Sequence, residues 1–167
     1  MMNLRLSRYF LRSLLCMLTI TVIDARLAAV PESVLGQFEF ERGTSGKALK
    51  KGGIEVSFSR FKSKDGTVVE REVEDHKTAK AARAALQQEI KHSSKVMQDG
   101  YRYDAHGNQV GRKVELFLSG SANVPEQIEI AWTDGQLLYL LRSESSKHVL
   151  DFERQVYRKP STEDSSK

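Results

Sequence analysis

The chain has 167 residues, of which 40% are hydrophobic and 29% charged, enough apolar material for one folded core. Three prolines exclude a proline-rich scaffold, and a single cysteine excludes a disulfide framework or a multi-cysteine metal site. The formal net charge is +4, but residues 1–29 hold four arginines and one aspartate. Without them, 26 basic and 22 acidic residues fall to 22 and 21, so no nucleic-acid partner is expected.

Residues 1–29 have the pattern of a secretory signal peptide. Three arginines precede an uncharged run of ten residues, Leu14–Ile23, and small residues follow it. A bilayer span needs about 20 apolar residues, so we expect no stable membrane span once this leader is removed. Cleavage near Ala29 would give an exported chain, periplasmic or secreted. The alternatives are an N-terminal helix packed on the domain or a wrongly assigned start codon.

We expect residues 30–158 to form a single domain and residues 159–167 to be a disordered polar tail. The first half of the domain alternates apolar and polar residues, which is typical of strands. This pattern predicts strands at 34–41, 54–58 and 67–73, with a glycine- and lysine-rich loop at 43–53. Asp65-Gly66 predicts the hairpin turn between the second and third strands.

The period then changes to that of a helix. Ala82, Leu86 and Ile90 recur every four residues, and Met97 falls on the same stripe. The stripe predicts an amphipathic helix from about Thr78 to Met97, with Asp75 or Thr78 as N-cap and Gly100 just beyond its end.

Strand patterns return after the helix, at Tyr101–Tyr103 and Lys113–Leu118. Two further strands flank Asp134-Gly135, and a two-residue turn there would place Trp132 opposite Leu137 as core residues. Residues 148–157 fit either a strand or a helix, and we favour the helix.

These elements predict an α+β domain: an antiparallel sheet of five to seven strands with one long amphipathic helix packed on one face. The chain lacks a regular strand–helix–strand alternation, so a doubly wound parallel sheet is not expected.

Chemical motifs are weak throughout. Residues 43–47 lack the spacing of a phosphate loop, and Asp104-x-His106-x-Asn108 is a poor calcium loop because a histidine occupies a ligand position. The four histidines are interpreted as surface residues, and Ser119–Ala122 is not a nucleophile elbow. We therefore predict no catalytic, cofactor-binding or metal site and no cofactor.

Part of the chain resembles a family of small exported bacterial domains of uncharacterised function. The resemblance rests on five segments: Ala82–Leu86, Lys95–Met97, Gly111-Arg112, Trp132–Gly135 and Ser143–Glu153. It implies export and a helix at 148–157, and it implies no activity.

Two functions remain open at this stage. The first is a non-catalytic exported binding or interaction module with a protein or envelope-polymer partner. The alternative is a small exported hydrolase that acts on an envelope component, with His106 or His148 as the base. The absence of catalytic signatures favours the first.

Overall fold

A computed structural model describes residues 36–41, 44–103 and 107–157. The predicted signal peptide at 1–29 and the predicted tail at 159–167 lie outside the described residues, as does His106.

The described part of the chain contains eight strands and two helices. The strands are β1 (Phe38–Phe40), β2 (Gly46–Lys50), β3 (Ile54–Ser63), β4 (Val68–Asp75), β5 (Lys95–Tyr103), β6 (Gln109–Leu118), β7 (Gln127–Asp134) and β8 (Leu137–Ser143). The helices are α1 (Ala79–His92) and α2 (Ser146–Tyr157).

All eight strands belong to one antiparallel sheet, in which seven follow the order β1-β3-β4-β8-β7-β6-β5 and β2 pairs with β3 outside this order. β1 and β2 both pair with the outer side of β3, β1 near its end and β2 near its start. The sheet therefore has β5 at one edge and the two short strands at the other.

The two helices cover opposite faces of this sheet. Successive residues of β7 alternate between the faces, as strand geometry requires. Trp132 and Ile130 pack in a core with Phe152 of α2, whereas Ala131 packs in a second core with Leu86 of α1. The domain is thus a three-layer arrangement with the sheet in the middle.

The α+β class and the antiparallel sheet are confirmed, but the sheet has more strands than the five to seven predicted. The additional strand is β2, which lies inside the predicted loop at 43–53. Its lysine-rich sequence carries no alternating pattern, and its pairing with β3 makes it a strand.

The prediction of one long helix from Thr78 to Met97 is wrong at its end. Thr78 is the N-cap, and its Oγ1 accepts from Ala81 N at 3.1 Å, but α1 stops at His92. Ser94 N then donates to Phe117 O at 2.9 Å, so the chain turns into β5. Gly100 accordingly lies within a strand and does not end the helix.

The second helix, α2, confirms the helical interpretation of 148–157 and gives the fold two helices where one was predicted. The β7–β8 register also differs from the expectation: Trp132 lies opposite Tyr139 rather than Leu137. The turn is one residue later, at Gly135-Gln136, with Gly135 at a φ of 56°. Because this changes the register by two residues, Trp132 keeps its place in the core.

Candidate functional site

A serine, a histidine and an aspartate meet where α2 begins beside the β3–β4 turn. His148 Nδ1 lies 2.8 Å from Ser145 Oγ, and His148 Nε2 lies 2.8 Å from Asp65 Oδ2. Only 14% of the His148 side chain is exposed, so the predicted surface position of this histidine is wrong. We call these three residues the His148 cluster.

The turn holds Asp65 in place as an ionised carboxylate. Ser63 Oγ and the backbone N–H of Thr67 both donate to Asp65 Oδ1. These hydrogen bonds, first that of Ser63 and then those of Thr67, hold the pKa of Asp65 well below its ordinary value. The ionised carboxylate can only accept a hydrogen bond, so in the neutral imidazole Nε2–H donates to Asp65 and Nδ1 faces Ser145 without a proton.

The surroundings of the cluster are open on one side and apolar on the other. Asp65 forms part of the wall of an open depression whose lining also includes Lys62 and Lys64. On the inner side, the ring of Phe38 meets His148 edge-on with 6.3 Å between the ring centroids. The histidine is therefore fixed against the core while its partners reach the surface.

A second candidate is the edge of the sheet at β5. The strand pairs with β6 along one side only, with irregular register between Val96 and Gln98. Four of its side chains are large, apolar or aromatic, and well exposed: Val96, Met97, Tyr101 and Tyr103. We call this nine-residue strand with its four exposed side chains the β5 edge.

Neither helix covers these side chains. Val96 lies opposite Leu116 of β6, on the face that carries α1, but α1 packs mainly on β7 and β8. On the other face, Arg102 folds inward, with its guanidinium carbon 4.8 Å from the Trp132 ring centroid. Its Nη2 donates to Tyr157 O at 3.1 Å, so the charge of Arg102 is used within the domain.

A third feature is a row of charged side chains on the α1 face of the sheet. Arg142 contacts Glu129 at 2.5 Å and Glu72 at 2.8 Å, and Lys50 contacts Glu72 at 2.6 Å. Lys50 also pairs with Glu74, so the row runs across β7, β8, β4 and β2. We call it the buried charge row.

Burial controls the charges in this row. Glu129 is completely buried, and desolvation raises its pKa while Arg142 opposes the rise. Desolvation also acts on Glu72, but Arg142 and Lys50 outweigh it and bring the pKa of Glu72 to about 2. The charges of the row pair with one another, and only Lys50 at its outer end is substantially exposed, so the row serves the fold.

The remaining predicted positions are dispersed. His76 bonds Glu74 at 2.7 Å with a side chain only 7% exposed, so its predicted surface position is wrong, whereas His92 is exposed at the end of α1. Asp151, three residues after His148, pairs with Lys147 at 2.7 Å. Among the described residues, no three His, Cys, Asp or Glu side chains are grouped to hold a metal ion.

The expectation that Trp132 belongs to the core is confirmed, and partly buried Tyr139 packs against it. Their rings stack with 4.9 Å between centroids, and Trp132 is fully buried. The sequence missed the β5 edge because it assigned part of that strand to the helix. It also missed the Asp65–His148 contact, which no local sequence pattern predicts.

Comparison with known proteins found no family model, no curated protein and no solved structure that matches this chain. Among the described residues, no helix has the length and apolarity needed to cross a membrane.

Proposed function

We propose that this protein is an exported interaction module that binds an extended segment of a partner protein along the β5 edge. The observation that carries the proposal is the nine-residue edge strand with four exposed apolar or aromatic side chains. An unpaired edge offers backbone N–H and C=O groups to a further strand, and the adjacent side chains supply specificity. Tyrosine suits such a surface because it gives large contact area at low entropic cost.

The opposite edge of the sheet supports this choice by contrast. β1 has only three residues, and β2 has five, of which Lys47 and Lys50 are two. Short edge strands with lysines are the devices by which proteins prevent strand addition. β5 has nine residues and a single lysine, Lys95, at its first position, so it is the edge better suited to a partner.

Export remains part of the proposal. The arginines, the uncharged run at Leu14–Ile23 and the small residues before Val30 support secretion with cleavage near Ala29. The chain after that point has almost balanced charge, which favours a protein partner over a nucleic acid.

The test is recovery of the partner with edge-blocked variants. The full chain, tagged at its C-terminus, is expressed in its own host as wild type, as Tyr101→Lys/Tyr103→Lys and as Leu49→Lys. Leu49 is 66% exposed on β2, so its variant adds a lysine to the other edge as a matched control.

We expect one stoichiometric partner with the wild type and with Leu49→Lys, and its loss with the double β5 variant. A second copy of the chain as that partner would also satisfy the proposal, because strand addition can be symmetric. Retention of the partner by the double variant, or its absence from the wild type, would contradict the proposal. N-terminal sequencing of the recovered chain tests export, with an intact leader as the adverse result.

The alternative, a small exported hydrolase acting on an envelope component, is favoured by one specific observation. His148, one of its two candidate bases, contacts both Ser145 and Asp65. The other candidate, His106, lies outside the described residues.

A further inference from the structure

We infer that Ser145 is a nucleophile activated by His148, and that the His148 cluster hydrolyses carboxylic esters through an acyl group carried on Ser145. Three side chains from two distant segments converge with heavy-atom distances of 2.8 Å at both contacts of the imidazole. This is the arrangement that nucleophilic catalysis by a hydroxyl requires: nucleophile, base and a group that orients the base. The inference does not depend on the β5 edge.

The polarity of the two hydrogen bonds makes His148 the base. Asp65 is anionic and can only accept, so Nε2 carries the ring proton. In the neutral imidazole Nδ1 then has a free lone pair, positioned 2.8 Å from Ser145 Oγ to accept from its hydroxyl. Asp65 thereby fixes the tautomer and orientation of the ring and is a positioning residue.

The distances distinguish this arrangement from a simple helix cap. A serine that only caps a helix accepts a hydrogen bond from a backbone N–H two or three residues later. Here the backbone nitrogen of His148 makes only a long hydrogen bond of 3.4 Å to Ser145 Oγ, whereas Nδ1 of the same residue lies at 2.8 Å. The dominant partner of the hydroxyl is therefore the base and not the helix backbone.

The start of α2 supplies the electrostatic part of the site. Ser146 and Lys147 are the first two residues of a 12-residue helix, and their N–H groups have no acceptor within the helix. An oxyanion that forms at the carbon bonded to Ser145 Oγ lies beside these N–H groups and the positive end of the helix dipole.

The reaction balances with water as the only co-reactant. Ser145 Oγ attacks the ester carbonyl carbon, the Oγ–C bond forms and the hydroxyl proton moves to His148 Nδ1. The C–O bond to the alcohol breaks, and the leaving oxygen takes that proton from Nδ1. Water then attacks the acyl carbon and gives one proton to Nδ1, the Oγ–C bond breaks, and Ser145 recovers the proton as the acid is released.

The test uses the folded full chain with a fluorophosphonate probe, and it is repeated with p-nitrophenyl acetate. We expect one covalent adduct per chain, located at Ser145 by mass spectrometry of the peptides. Ser145→Asn should abolish labelling while it keeps a good N-cap residue, so that lost folding is not the cause. Ser119→Ala is the matched control, because the hydroxyl of Ser119 contacts Ser94 and no member of the His148 cluster, and it should label at the wild-type rate.

Two further variants test the roles of the other members. His148→Gln should slow labelling by about 100-fold or more, the usual contribution of a general base. Asp65→Asn should slow labelling while the folded circular dichroism spectrum is retained. The inference is overturned if the folded wild type remains unlabelled and does not hydrolyse the ester, or if Ser145→Asn labels as fast as the wild type. In either case the cluster only ties α2 to the β3–β4 turn.

Discussion

Replacement of Arg142 by methionine tests the buried charge row most severely. Arg142 has a side chain only 12% exposed and lies between Glu129, which is fully buried, and Glu72. Methionine has similar length and no charge, so the variant keeps much of the packing and removes the ion pairs. Glu72 retains Lys50 at 2.6 Å, but the ion pair of Glu129 with Arg142 is lost.

The expected loss of stability comes mainly from Glu129, which is left buried without its ion pair. Removal of one member of a buried ion pair costs about 3–5 kcal/mol, because the other charge stays desolvated. Domains of this kind have free energies of unfolding of about 5–15 kcal/mol, so Arg142→Met should remove a large share. Glu129→Gln leaves a neutral amide and should cost about 1–3 kcal/mol. In the double variant the costs should fall short of their sum by at least about 1 kcal/mol.

The assay is urea unfolding followed by the fluorescence of Trp132, the single tryptophan of the chain, which is buried and stacked on Tyr139. Unfolding exposes the indole to water, so one probe reports on the core between the sheet and α2. A loss below about 1 kcal/mol for Arg142→Met, or strict additivity in the double variant, would refute the reasoning.

Three further predictions follow from single positions. The pKa of Glu72 is about 2 in the folded protein against an ordinary 4.5. The ionised carboxylate therefore stabilises the fold by about 3 kcal/mol above pH 4.5, and this contribution is lost as the pH falls towards 2. Urea unfolding across this range should show that Arg142→Met loses less stability on acidification than the wild type. Gly111→Ala should cost about 1–3 kcal/mol in thermal unfolding, because its Cβ would lie 2.2 Å from a β7 carbonyl oxygen; the matched control Gly100→Ala, with nothing within 4 Å, should cost far less. Thr78→Ala should lower stability by about 1 kcal/mol through loss of the cap on α1, and an unchanged midpoint in urea would count against that cap.

Local sequence patterns predict the start of α1 well and its end poorly. Thr78 is a capping residue followed by a clear apolar stripe, so the first turn is determined by nearby residues. Met97 lies at the same helical spacing, yet it belongs to β5, because residues 95–103 pair with β6. That pairing is a tertiary interaction, and it overrides a helical period that continues by coincidence.

The β7–β8 hairpin illustrates what alternation can and cannot specify. Alternating apolar residues predict which side chains of the hairpin share a face, and Trp132 with Ile130 does lie in the core. The pairing depends on which residue adopts positive φ, and Asp134-Gly135-Gln136 allows two turn positions. The sequence pattern therefore predicts the face and misses the register.

The candidate sites were harder to predict than the fold for a related reason. His148 is a candidate base in the sequence, but its partner Asp65 lies in a hairpin turn that precedes α1, more than 80 residues earlier in the chain. The spacing of Ser145 and His148, three residues apart, is common at helix starts. It indicates a candidate site only once the structure shows Asp65 beside His148. The β5 edge likewise becomes visible only when the order of the strands is known.

The most direct test of the central claim, partner binding at the β5 edge, is site-specific photo-crosslinking in the living host. A photoreactive phenylalanine analogue replaces Tyr101 in one strain and Leu49 in another, and both sites are exposed on edge strands. The account predicts one defined adduct from position 101, with the partner joined through an extended segment, and none from position 49. Equal adducts from both positions, or none from position 101, would contradict it.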